Sequence, residues 1–275
     1  MSYLTAALLG LVQGITEFLP ISSSGHLALL QNLFHIEKAD LMFDVMLHFG
    51  TLLAVYFTYR NDVRGMFRGF FGLFGLGRDG RSKGPKASLR KRLGLLVLLG
   101  TLPLLMVLPF YDKIKAVSEN SVFVGAMLLV TGCILYLSDR FARPRKELSQ
   151  VTLLDGLLVG MGQVLGVIPG ISRCGTTISV GMLRGFQKPF AVKFSFLLSI
   201  PSVLGAGVLA LVHAVRLGVD PGMLPLYAVG MVTSAISGFF CMRLLRWTAA
   251  RSHFGGFSYY CWGAGIVALL LSLVA

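Results

Sequence analysis

Charge is scarce in this chain. Of its 275 residues, 13% are Asp, Glu, Lys or Arg, against about 25% in an ordinary soluble domain. That deficit excludes a disordered chain, a collagen and a coiled coil, and it argues against a water-soluble globule. Cysteine is sparse too. Cys133, Cys174, Cys241 and Cys261 stand far apart and form no CxxC pair, so neither a disulfide framework nor a zinc site follows. The first basic residue is Lys38, so no cleavable signal peptide is expected.

Apolar residues are abundant instead. They make up 55% of the chain, and the mean hydropathy is +0.76. This composition reads as a polytopic helical membrane protein. The formal charge of +13 raises nucleic acid as a partner, but its distribution excludes that. Ten of the 25 Lys and Arg lie between Arg60 and Arg92, four between Arg140 and Lys146, three between Arg184 and Lys193, and three between Arg243 and Arg251. Every cluster flanks a long apolar run, as the positive-inside rule requires.

Six runs are long enough to span a bilayer as helices: 41–59, 92–110, 120–138, 188–212, 223–245 and 257–274. Nineteen residues rise about 28 Å, close to the ~30 Å hydrocarbon core. Placing the basic segments 60–92, 139–151, 184–193 and 243–251 in the cytoplasm leaves 35–40, 111–119 and 213–222 outside, with consistent alternation. Two further apolar segments, 3–34 and 152–183, are interrupted by polar residues and proline. Their second arms, 25–34 and 174–183, reach only about 15 Å as helices. Both are expected to be re-entrant hairpins, because broken backbone at membrane depth must be buried in protein or line a wet cavity.

The order is then hairpin, three spans, hairpin, three spans. Three crossings invert the second half, so the hairpins enter from opposite faces and meet near the midplane. The expected architecture is a single all-α membrane domain, an inverted-topology repeat of halves 1–139 and 151–275. GLVQGITEFLPISSSGH and GLLVGMGQVLGVIPGISRCG match weakly, with a three-residue insertion between them.

The two broken segments also carry the chemistry. Gln13 and Glu17 share a helix face, and a carboxylate at that depth needs a partner, a metal or water. Ser22, Ser23, Ser24 and Gly25 open a new helix, where free N–H groups and hydroxyls can receive phosphate oxygens. His26 lies within one turn of Ser23, so it can act as its base or attack phosphorus itself. The second break holds Gly170, Ser172, Arg173 and Thr176, and the guanidinium suits bidentate phosphate binding. Glu17 is expected to pair with Arg173 or to hold a divalent cation that neutralises a diphosphate.

Singly, each residue has an ordinary structural reading: Glu17 as a hydrogen-bond partner, the serines as a cap, Asp44 and His48 as an end-of-helix pair, Asp155 as an answer to the helix dipole, Cys174 as packing. Their concentration on the two broken segments points to a phosphate site. The residues alone leave open a secondary transporter or lipid flippase with a midplane ion site, or a non-catalytic lipid-binding scaffold.

QGITEFLPISSSGH, at 13–26, and PGISRCGTT, at 169–177, resemble the two signatures of the bacterial undecaprenyl-diphosphate phosphatases, the bacitracin-resistance proteins. LHFGTLLAV at 47–55 and FSFLLSIPSVLGA at 194–206 are similar to the same family. The resemblance implies an inner-membrane phosphatase with re-entrant loops, and the charge-based topology turns its site toward the periplasmic side. It would remove one phosphate from undecaprenyl diphosphate and so recycle the cell-wall lipid carrier. It also implies a divalent cation, Mg2+ or Ca2+, and often a homodimer. Catalysis would fall to His26, Ser23, Glu17 and Arg173. Substrate binding would fall to Ser22, Ser24, Gly25, Gly170, Ser172 and Thr176, and the metal to Glu17 with Gln13. Two positions depart from the pattern: Gln13 stands where Glu is frequent, and Cys174 where Ser is frequent.

Overall fold

The computed structural model describes residues 1–33, 41–73, 85–217, 220–250 and 254–274. All of the expected outer segment 35–40, and parts of 213–222 and of the basic segments 60–92 and 243–251, therefore lie outside the described residues. The described chain is helical, with one isolated bridge between Lys146 and Phe186. In order the helices are α1 Tyr3–Phe18, α2 Ser23–Leu33, α3 Leu41–Leu73, α4 Pro85–Thr101, α5 Tyr111–Val117, α6 Ser121–Phe141, α7 Leu153–Leu165, α8 Arg173–Leu183, α9 Lys188–Leu217, α10 Leu224–Ala250 and α11 Gly256–Val274.

Six segments are long and apolar enough to cross a bilayer: Met42–Arg68, Ser88–Phe110, Ser121–Phe141, Lys188–Leu209, Pro221–Ala249 and Gly256–Leu273. They coincide with the six apolar runs, because the thickness of the hydrocarbon core sets a span's length. The chain is a multi-pass membrane protein. After α4 the helix tightens to a 3-10 form over Leu102–Phe110, where Pro103 and Pro109 remove two N–H donors.

The short helices α1, α2, α7 and α8 form two helix–turn–helix units with a common layout. Tyr3 and Leu153 begin the first arms, capped by Ser2 and Thr152. Ser23 and Arg173 begin the second arms, which end at Leu33 and Leu183. All these pairs lie 150 positions apart, as do Gln13 and Gln163. At this offset the starts of both arms and the end of the second arm recur without an insertion, while the first arm ends three residues sooner in the second unit, at Leu165 against Phe18.

Glycine sets how closely the first arms approach their neighbours. A Cβ on Gly10 would meet the Gly230 carbonyl of α10 at 2.5 Å, and one on Gly160 would meet the Gly100 carbonyl of α4 at 2.3 Å. Close backbone contact at small residues is how helices associate inside a bilayer. α1 packs chiefly on α10, α7 on α4 and α8, and α6 on α11.

Asp155 does more than answer the dipole of α7. Its carboxylate is fully buried, accepts from the Thr152 backbone N–H at 2.9 Å, and pairs with Lys146 at 2.9 Å and Arg184 at 2.8 Å. It thus ties the start of α7 to the end of α8. Asp155→Ala strands two cations and opens the capping box. It is expected to cost about 3 kcal/mol, read as a lower thermal midpoint in detergent.

Candidate active site

The two turns between the short helices touch each other. The first turn reverses at Ser22, which takes φ 71°. That left-handed backbone costs a non-glycine residue about 1 kcal/mol. The side chain offsets it: Ser22 Oγ accepts the Gly25 N–H at 3.2 Å, donates to the Ile171 carbonyl of the other turn at 3.3 Å, and lies 3.4 Å from Ser24 Oγ. Cys174 Sγ donates to the Phe18 carbonyl at 3.2 Å, so the cysteine links the turns. A Cβ on Gly25 would stand 3.0 Å from Gly170 Cα, which leaves no room for a side chain between them. Gly170 takes φ +92°, and its carbonyl accepts from Thr131 of α6 at 2.9 Å.

Glu17 is the hub of the polar cluster at this junction. It is 7% exposed. Its Oε1 accepts from the Arg173 guanidinium across the junction. Its Oε2 accepts the Ser23 hydroxyl at 2.5 Å and the Gln13 amide at 3.0 Å. The imidazole Nε2 of His48, on α3, lies 3.8 Å from the same oxygen. A buried carboxylate is held ionised by such a set of donors and by the facing guanidinium.

Arg173 bridges the two units. Beyond Glu17, its second terminal nitrogen donates to Ser202 Oγ at 3.2 Å. Ser202 follows Pro201 inside α9, donates to the Ser199 carbonyl at 2.9 Å and lies 3.5 Å from Gln163 Oε1. A polar chain therefore runs from Gln13 through Glu17 and Arg173 to Ser202 and Gln163.

His26 is placed differently from its neighbour in sequence. Its Nδ1–H donates to the Ser22 carbonyl at 2.8 Å, which leaves the lone pair on Nε2, where the Tyr260 hydroxyl of α11 stands at 2.9 Å. The two rings stack at 5.7 Å. Ser23 therefore bonds Glu17, while His26 bonds its own turn and α11. The expectation that His26 would be the base for Ser23 is not the geometry found. A side chain at the first helical position leans back toward the preceding turn, which here is the end of α1.

Among the expected substrate-binding residues, Ser22, Ser172 and Thr176 are each 2% exposed. Ser172 Oγ caps α8 by accepting the Gly175 N–H at 3.0 Å, and Thr176 Oγ1 donates to backbone carbonyls of its own helix at 3.0 Å. Their hydroxyls serve the turns. Ser24 is exposed and Ser23 and Arg173 half-buried, so these side chains can meet a ligand.

Gln13 Oε1 is buried and has no hydrogen-bond partner among the described residues. It lies beside Glu17, whose Oε2 faces Ser23 and His48. An unpartnered amide oxygen, a carboxylate and an imidazole fit a hard divalent cation that takes its remaining ligands from phosphate. Among the described residues, no group of three His, Cys, Asp or Glu gathers, so the protein would supply only part of the shell.

Three participants are not among the site residues expected from the sequence. His48 looked like an end-of-helix residue because its place beside Glu17 depends on how α3 packs against α1. Ser202 stands in the family-like stretch 194–206, but nothing there marks it apart from its neighbours, and Tyr260 carries no signal beyond its helix's apolar periodicity.

Comparisons with known proteins give the chain a family. The family of the bacitracin resistance protein BacA matches residues 6–267. An undecaprenyl-diphosphatase of Carboxydothermus hydrogenoformans is 36% identical, with 98% of each chain covered. Undecaprenyl-diphosphatase 1 of Shouchella clausii is 40% identical over 98% of this chain and 96% of its own. An undecaprenyl-diphosphatase of Methanobrevibacter smithii is 37% identical over 99% of both chains. Matched along nearly its whole length, the chain belongs to the BacA bacitracin resistance protein family.

Proposed function

We propose that the chain hydrolyses undecaprenyl diphosphate to undecaprenyl phosphate and inorganic phosphate at the junction of the two turns. The observation that carries this reading is the cluster Ser23–Glu17–Arg173, in which a hydroxyl and a guanidinium from different units share one buried carboxylate. Relatives named for this hydrolysis support it, and the transporter reading has no comparable support.

The diphosphate competes with Glu17 for Arg173. Once the guanidinium turns to phosphate, the carboxylate oxygen at 2.5 Å is free to take the Ser23 proton. Ser23 Oγ then attacks the terminal phosphorus in line, the bridging P–O bond breaks, and the lipid monophosphate leaves. The transition state is loose, so positioning and charge neutralisation carry most of the rate. His26 Nε2, its lone pair fixed there by the Ser22 carbonyl and released when the Tyr260 hydroxyl turns away, activates the water that releases phosphate from Ser23. The Ser24 hydroxyl and the N–H groups of Ser23 and Ser24 at the start of α2 hold phosphate oxygens. Gly25, Gly170, Ser172 and Thr176 shape that cradle through the backbone.

A divalent cation, Mg2+ or Ca2+, would be held by Glu17 and Gln13, with His48 within reach, and would neutralise diphosphate charge. Glu17→Gln is expected to lower the rate and to move the magnesium titration to higher concentration together. A lower rate with an unchanged titration would remove Glu17 from the cation's shell.

In this reading the two units are re-entrant hairpins of an inverted repeat with halves 1–139 and 151–275. The 150-position recurrence supports it, as do the reciprocal packings of α1 on α10 with α7 on α4, and of α3 on α10 with α9 on α4. At 11 residues each, α2 and α8 rise about 16 Å, half a bilayer. The basic helix ends support a bacterial inner membrane with the mouth of the site on the opposite, periplasmic side. The family resemblance supports a homodimer.

The test is direct. Detergent-purified chain incubated with undecaprenyl diphosphate should release inorganic phosphate with no second compartment present. Binding without release would favour a carrier.

A further inference from the structure

A second polar feature lies on α3 away from Glu17. Helix α3 departs from helical geometry at Tyr59, with φ −115° and ψ 25°. Tyr59 is 11 residues beyond His48, about 16 Å along the helix axis, so the two features are separate. At this kink a cleft of about 690 Å³ opens between Tyr59, Lys193 of α9, and Arg243, Arg246 and Trp247 of α10. The Arg246 guanidinium lies 5.4 Å from the centre of the Tyr59 ring, close enough for a cation–π contact.

The positive-inside rule explains why cations lie at this end of the molecule, but it does not require them to converge on a cleft. The local balance of charge is informative. Asp62 is paired with Lys193 at 2.8 Å, Asp139 with Lys188 at 2.7 Å, and Asp155 with Lys146 and Arg184. Arg243 and Arg246 form no ion pair among the described residues, and both are exposed. Two arginines one turn apart therefore bring surplus positive charge to a cleft that already has its shape. Trp247 is 54% exposed at its rim, and Leu244 and Phe240, further along α10 toward the span's interior, are 49% and 63% exposed. An aromatic rim belongs at headgroup depth, and exposed apolar residues below it face acyl chains.

We propose that this cleft binds the phosphate headgroup of an anionic diacyl phospholipid of the cytoplasmic leaflet, with Arg243 and Arg246 on the phosphate and the acyl chains along Leu244 and Phe240. The site is independent of the hydrolytic reading. Each surface arginine contributes enough attraction that losing both weakens binding roughly thirty-fold.

The test uses the full chain in uncharged detergent, with lipid binding followed by native mass spectrometry and by thermal unfolding. Phosphatidylglycerol should bind and raise the unfolding temperature, and phosphatidylcholine should do neither. Arg243→Gln with Arg246→Gln should lose most of the phosphatidylglycerol response, Arg243→Lys with Arg246→Lys should keep much of it, and both pairs should hydrolyse a short-chain diphosphate normally. Equal responses to both lipids, or an undiminished response in the glutamine pair, would overturn the proposal. A glutamine pair that unfolds without lipid well below the parent would be judged against the lysine pair, and loss of binding in both would count against a charge-read site. Preference for a polyprenyl monophosphate over phosphatidylglycerol would replace the phospholipid with the lipid product. A full response to inorganic phosphate alone would exclude a lipid ligand.

Discussion

Arg173→Ala should lower phosphate release by about a thousandfold or more while the protein still inserts in the membrane. Two effects combine. An arginine that neutralises a transferring phosphoryl group is worth roughly 10³ or more in rate. The same guanidinium also compensates Glu17, which is 7% exposed, and removing one partner of a buried pair costs roughly 3–5 kcal/mol. The variant should therefore unfold at lower temperature as well as turn over slowly. Arg173→Lys separates the two effects. A lysine keeps a charge near Glu17 and recovers stability, but it lacks the fork that reaches Glu17 and Ser202 together, so most of the rate stays lost. Near-normal phosphate release by purified Arg173→Ala would remove the residue from the site.

The second large loss is expected for Ser23→Ala. Without its hydroxyl the proposed nucleophile is gone, and turnover should fall by about three orders of magnitude. Stability should change little, because Glu17 keeps Gln13, Arg173 and His48 as neighbours. His26→Ala should also lose most activity, but at a later step. Phosphate should remain on the enzyme after one lipid monophosphate has been released, and quenched-flow with a labelled terminal phosphate reads this directly. If Ser23→Ala turns over normally while His26→Ala makes no monophosphate at all, the imidazole is the nucleophile.

The spans were legible because the bilayer imposes one length on every crossing, and lysine and arginine mark where each helix re-enters water. The broken segments were legible for the converse reason: Glu17, Pro20, Arg173 and the serines have no place in an uninterrupted span. Pairing across the junction was harder to read. Glu17 and Arg173 are 156 positions apart, and only the apposition of the two turns brings them together. Sequence proximity even misdirected Ser23. Three positions along a helix favour His26 as its partner, yet the left-handed Ser22 aims the start of α2 back at the end of α1. His48, Ser202 and Tyr260 belong to spans whose residues answer mainly to lipid and packing, so their neighbours follow from helix–helix contacts that a single sequence does not display. Asp155 was assigned a smaller task than it has, because Lys146 and Arg184 converge on it only after α7 and α8 pair.

The central claim is that residues of the two separate turns act as one site. A double-mutant cycle on phosphate release, with Glu17→Gln, Arg173→Gln and the double variant, measures it most directly. The double variant should be little worse than the more impaired single variant, because each substitution already disables the shared pair. Fold-losses that multiply would show two independent residues and contradict the account.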